Sequence, residues 1–255
     1  MIRSTARLMT VALLATPAFA FTEATYKSVA ENSLRLAPPT LAHIADRQRD
    51  RLVAGALMPL ATEGGAEHLA APKGVLEQKV KDQTERVIQM IDAHASFEDI
   101  IFEVGVLSHY VADLDNPLNT GTGDPRYEKV RKDYESYIER SVPKFTLTFG
   151  GHTSQELRDR DVLGFARSVS SRSSSFAPQV TQSYYPEGAM VSSRTFDDRH
   201  TAFGIASLSY QNAIGDCARL YVYIWRAVNG DLRGTPFLET VPTTKKSGPS
   251  HKWAK

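Results

Sequence analysis

Ser96-Phe-Glu-Asp-Ile-Ile-Phe-Glu-Val-Gly-Val-Leu-Ser-His-Tyr-Val-Ala-Asp-Leu-Asp-Asn-Pro117 is the stretch on which the reading of this chain turns. Ser96 supplies a side-chain acceptor for a helix start, and Glu98 and Asp99 fall in the first turn, at the positive end of the helix dipole. From Ile100 to Leu114 the sequence is apolar almost all round, the pattern of a helix buried on every side. Asn116-Pro117 ends it, because proline disfavours helical geometry in the residue before it. Within the apolar run stand His109 and Asp113, four residues apart and therefore on one helix face. Spacing alone leaves two readings open, a hydrogen-bonded pair or two metal ligands. Burial favours the second, since an ionisable pair in an apolar helix is costly unless partnered or metal-bound.

Outward from this helix the chain stays helical. Tyr26 to Ala37 has a helical apolar period and stops at Pro38-Pro39. Thr40 is placed to cap a helix through Leu57. Met58 to Lys73, with Pro59, Gly64-Gly65 and Pro72, reads as a loop. Gly74 to Ala93 is strongly amphipathic, with Val75, Leu76, Val80, Val87, Ile88 and Ile91 inward. Pro125 to Phe145 and Thr153 to Val169 read as helices, and serine-rich 168–175 as a mobile loop. A last long helix spans Ala202 to Asn229, with Gly230 as its stop. Neither repeats nor strand-period alternation appear. The expected class is all-α, a single compact multi-helix domain over 21–232 followed by a disordered polar tail, 233–255.

Residues 1–20 carry two arginines, a short apolar run from Leu8 to Leu14 and a closing Ala18-Phe19-Ala20, which reads as a signal peptide cleaved before Phe21 and predicts export to the periplasm or beyond. No apolar run reaches the ~20 residues of a membrane-spanning helix. Thirty basic against 29 acidic side chains give a formal charge of +1, so bulk charge offers no nucleic-acid-binding signature. Cys217 is the only cysteine, which excludes an internal disulfide, and its apolar helical setting predicts a buried, inert thiol.

Gly105-Val-Leu-Ser-His-Tyr-Val-Ala-Asp-Leu-Asp-Asn-Pro-Leu-Asn119 resembles the signature helix of the zinc-dependent phospholipases C and single-strand-specific zinc nucleases, Leu-x-His-x-x-x-Asp-x-x-x-Pro-Leu-His. Ala54-Gly-Ala-Leu-Met-Pro59, Glu67-His68 and Tyr134-Glu135 extend the likeness, which spans roughly 21–139 and continues loosely through Thr195-Phe-Asp-Asp-Arg199. The resemblance implies a helical fold with three zinc ions that hydrolyse a phosphoester by activating water and stabilising developing charge. It implies His68, His109, Asp113 and Glu135 as metal ligands, with His109 and Asp113 central to catalysis.

Several expected ligands are replaced. The histidine after Pro-Leu is Asn119, the histidine one turn before Glu135 is Arg131, the loop aspartate is Leu60, the early-helix histidine is Tyr26 and the N-terminal tryptophan is Phe21. His68, His109 and Asp113 remain, and three protein ligands can hold zinc. Glu63 or Glu67 is a candidate for the missing carboxylate. Arg131 should repel a cation and pair with Glu135 at i+4. One Zn²⁺ is therefore expected rather than three. Two functions follow: an exported phospholipase C-like phosphodiesterase, or a non-catalytic relative that binds a lipid, envelope component or partner. His43, His94, His152, His200 and His251 are read as surface histidines, and Tyr184-Tyr185-Pro186 as loop packing.

Overall fold

The computed structural model describes residues 21–238, so the expected signal peptide, 1–20, and most of the expected tail, 239–255, lie outside the described residues. Thr22 caps α1 (Glu23–Ser33), its hydroxyl accepting from the Thr25 amide. A 3₁₀ turn, Leu34–Leu36, leads to α2 (Pro39–Arg47). The single helix expected from Thr40 to Leu57 is broken at Gln48, whose φ of −117° and ψ of 32° are not helical, and α3 (Arg49–Thr62) starts afresh. α3 also runs through Met58–Thr62, expected to be loop. Pro59 is tolerated because it lies in the last turn, where its missing N–H costs one bond, and because its ring is buried.

α4 (Leu76–Asp92) and α5 (Phe97–Leu114) follow, the latter capped by Ser96 accepting from the Asp99 amide. α6 (Pro117–Thr120) is one turn, begun by the Asn116 side chain. α7 (Arg126–Ser141), the short α8 (Gln155–Arg158), α9 (Val162–Ser174), α10 (Ala177–Tyr184) and α11 (Thr201–Ala227) complete the described chain, which contains no strand. The expected loop at 168–175 is mostly helix. Serine lowers helix stability by only tenths of a kcal/mol, and burial of Phe165, Ala166, Val169, Ser170 and Ser173 along one face of α9 overrides that. The helix expected from Thr153 is divided at Arg160, which adopts a positive φ of 61°.

α5 lies at the centre, packed by α1, α3, α4, α9 and α11, and every residue from Val104 to Leu114 is buried. Its contact with α3 is close because two glycines face each other. A Cβ on Gly55 would lie 1.9 Å from the Phe102 carbonyl oxygen, and one on Gly105 would lie 2.1 Å from that of Leu52. Residues 233–238, grouped with the tail on sequence, lie against the body: Thr235 is buried, and the Phe237 ring meets Phe149 edge-on at 5.8 Å. Polar contacts contribute to that docking, with His152 Nε2 donating to the Pro236 carbonyl at 2.9 Å and the Thr235 hydroxyl donating to the Leu232 carbonyl at 2.7 Å. Cys217 is fully buried, as expected. No described helix is long and apolar enough to cross a membrane.

Candidate metal centre

His109 and Asp113 project from α5 toward the 3₁₀ turn Gly65–His68, which presents His68. The Ala70 amide donates to the Asn119 carbonyl at 3.2 Å, tying the His68 loop to α6. All three side chains are fully buried, and one donor atom from each meets the others within 4.8 Å. His109 Nε2 lies 3.2 Å from His68 Nδ1 and 3.3 Å from Asp113 Oδ2. Zinc–ligand bonds of 2.0–2.1 Å make the edge of a tetrahedron about 3.3 Å. Two of the three edges already have that length. The third, His68 Nδ1 to Asp113 Oδ2, is a 2.7 Å hydrogen bond and would have to open by roughly half an ångström to share an ion.

The surrounding contacts orient these donors. His109 Nδ1 donates to the Ala56 carbonyl at 2.7 Å, which leaves the Nε2 lone pair facing the cluster. That carbonyl is within reach because Gly55 and Gly105 bring α3 against α5. The Tyr26 hydroxyl donates to Asp113 Oδ1 at 2.5 Å, so Oδ2 faces the histidines, and the Tyr26 ring stacks on His109 at 3.9 Å and 12°. The Phe21 amide donates to the same hydroxyl at 3.3 Å. Burial pushes the Asp113 carboxyl up, but the charges and hydrogen bonds of His109 and His68 outweigh it and hold the group at about 2. Burial likewise opposes charge on His68, yet Asp113 raises its pKa above the ordinary histidine range. The site is thus held by a buried ion pair, and a metal ion bound there would have to displace the His68 proton. The donor set fits one zinc ion.

The remaining expected positions behave differently. Glu135 is not within the His68–His109–Asp113 group. Nor does Arg131 pair with it. The Arg131 guanidinium turns back toward the start of α7, as long helical side chains do, and donates to Glu128 at 3.0 Å, to the Leu118 carbonyl at 2.9 Å and to Asn119 Oδ1. Burial then pushes the Glu135 carboxyl up to about 8, with the Arg131 charge opposing. Glu63 is engaged by Lys79 and the Tyr110 hydroxyl at 2.7 and 2.6 Å, and Leu60 packs against the core. Tyr184 is buried with its hydroxyl 3.3 Å from Asp133, the packing role expected of it. His152 and His200 depart from the surface reading, both being half-buried, the His200 ring stacked on Phe196 at 3.9 Å. Nothing local in the sequence announces the orienting roles of Tyr26 and of the Ala56 carbonyl, although the facing glycines are a signal for the second.

The fold is shared with known proteins. No family model matches the chain, and neither does any curated protein. Among solved structures the chain is similar to the alpha-toxin of an avian Clostridium perfringens strain, with a TM-score of 0.59 and 14% identity, over 81% of this chain and 64% of the toxin's. It is also similar to the alpha toxin of Clostridium absonum, with a TM-score of 0.62 and 16% identity, over 84% and 68% of the two chains. At such identities the likeness establishes the all-α fold and nothing finer. The chain spans about 64% of the first toxin's length.

Proposed function

We propose that this chain is an exported protein on the phospholipase C-like scaffold that holds one zinc ion between His68, His109 and Asp113 as a closed, stabilising centre. The observation that carries this reading is the burial of the three donors, two of their three separations matching a tetrahedral edge, with His109 and the carboxylate each oriented by a further hydrogen bond. Structural zinc sites are closed, whereas catalytic ones keep a position open to substrate. The stacked Tyr26 ring and the complete burial of all three side chains favour closure. In this reading Tyr26 fixes the carboxylate, Ala56 fixes the His109 tautomer, and Arg131 supplies the positive charge near α6 and α7 that a further ion would otherwise bring. Export rests on the leader-like residues 1–20.

A second reading, hydrolysis of a phosphoester or phospholipid, is favoured by the count of protein ligands, since three is the number zinc takes in catalytic centres. Bound there, zinc would supply Lewis acidity toward a phosphoryl oxygen. Metal analysis of the purified chain and of His109→Ala, with hydrolysis of a phosphodiester measured in parallel, separates the two. The closed centre predicts about one zinc per chain, lost in the variant, without turnover. Zinc-dependent turnover abolished by His109→Ala would establish the hydrolase instead. A chain that takes up no zinc ends both.

A further inference from the structure

Away from the metal centre, a cavity of ≈ 340 Å³ opens between the C-terminal half of α11 and residues 152–158. Arg219 and Arg226, two helical turns apart, line it from one side, and Arg158 and His152 line it from the other. Leu157 and Val222 contribute apolar wall. Among the described residues no carboxylate lines it.

The charge balance around the cavity is uneven. Arg219 is fixed: Nη1 donates to Asp216 Oδ1 at 2.5 Å, Nε to the Gly151 carbonyl at 3.1 Å, and the guanidinium lies 5.5 Å from the Phe149 ring centroid. Asp216 is shared with Arg172, which also pairs with Asp115, so Arg219 and Arg172 both have buried carboxylate partners. Arg158 and Arg226 have no ion-pair partner among the described residues. Arg158 donates only to the neutral Gln155 side chain, at 2.6 Å. Together they leave an uncompensated positive charge of about two at the mouth of a cleft whose walls concentrate the field. Arginine at a helix end ordinarily answers the helix dipole, and Arg226 does so in the last turn of α11. That role does not account for three guanidinium groups and an imidazole meeting in one cavity. Planar guanidinium forks match phosphate oxygens. The volume suits a small molecule.

We infer that this cleft binds a phosphate-bearing anion, with Arg158 and Arg226 as its charged clamp and Arg219 as the prepositioned third donor. The site is independent of the zinc reading, since it shares no residue with it. Calorimetric titration of the full chain with inorganic phosphate and with glycerol 3-phosphate tests it, alongside co-sedimentation with phosphatidylcholine vesicles with and without phosphatidic acid. Saturable binding is expected, weakened at least tenfold in Arg158→Glu/Arg226→Glu. The variant Lys129→Glu/Arg194→Glu makes the same charge change in a different cavity and should bind as the native chain does. Both pairs are exposed, so both variants should fold, with Arg158→Glu/Arg226→Glu melting at most a few degrees lower because Arg226 answers the α11 dipole, and Arg226→Gln alone should weaken binding about threefold. Vesicle binding lost in Arg158→Glu/Arg226→Glu would assign a lipid headgroup. Binding of the soluble phosphates alone would assign a free ester. Absence of saturable binding to any probe, or equal loss in the two double variants, would overturn the inference.

Discussion

His68, His109 and Asp113 on one side, and Asn119, Arg131 and Glu135 on the other, occupy positions that a phospholipase C-like pattern would devote to metal, and they have become opposites. The first group sets two imidazoles against a carboxylate held at about 2, and its positive charge is a His68 proton that a metal ion could displace. In the second, a guanidinium donates to Asn119 and the Leu118 carbonyl, and the nearby Glu135 carboxyl is pushed up to about 8. Two groups, one on α5 and the His68 turn and one on α6 and α7, can therefore differ in whether they suit a divalent cation. What decides is which neighbouring side chain already carries positive charge.

Asp113→Ala attacks this contrast most directly. It removes the only carboxylate of the first group, the acceptor that the His68 imidazole and the Tyr26 hydroxyl share. Loss of one member of a buried pair costs about 3–5 kcal/mol, or on the order of 10 °C in melting temperature for a chain of this size. Zinc uptake should vanish with it. Calorimetric melting and metal analysis check both, and unaltered stability would mean that Asp113 is not held as described.

Asn119→His/Arg131→His sharpens the contrast from the other side. Replacing the cation and its acceptor with imidazoles beside Glu135 should raise zinc from about one to about two ions per chain, and should bring the Glu135 carboxyl back toward its ordinary range. An unchanged zinc content would show that Arg131 is not what excludes metal there. Gly105→Ala is expected to act more mildly on metal but measurably on the fold. Its methyl would meet the Leu52 carbonyl oxygen, so α3 and α5 must separate, at a cost of about 1–3 kcal/mol. The His109–Ala56 hydrogen bond should lengthen, and zinc affinity should fall without loss of the ligands themselves.

These two regions also differ in how far the sequence exposed them. α5 was readable from one end to the other, because Ser96, the acidic first turn, the continuous apolar run and Asn116-Pro117 all act locally. His109 and Asp113 were readable for the same reason, as charge inside an apolar helix. Tyr26 was noted only as a lost histidine. Its stacking on His109 and its bond to Asp113 depend on how α1 crosses α5, a contact 87 residues apart in sequence. Arg131 was expected to reach forward to Glu135, yet its partners lie behind it on α6 and in the preceding turn. The C-terminal half of α9 is hidden by serines whose burial cannot be inferred without its neighbours, and α10 is too short to show a period.

Glu135→Gln is the finest probe of the second region. Its folded pKa of about 8 lies above the ordinary glutamate value of 4.5, so the folded chain holds that proton more tightly than the unfolded chain does. Stability from this group is full below pH 4.5 and declines as pH rises through about 8, after which it levels off. Glutamine has no proton to lose. The variant should match the native chain in acid and melt a few degrees higher at pH 9, a difference of about 1–2 kcal/mol at this partly accessible site. Parallel melting curves at both extremes would mean that Glu135 already carries its charge at neutral pH, either against Arg131 or against an ion, and the separation between a metal-holding and a metal-excluding half of this site would no longer stand.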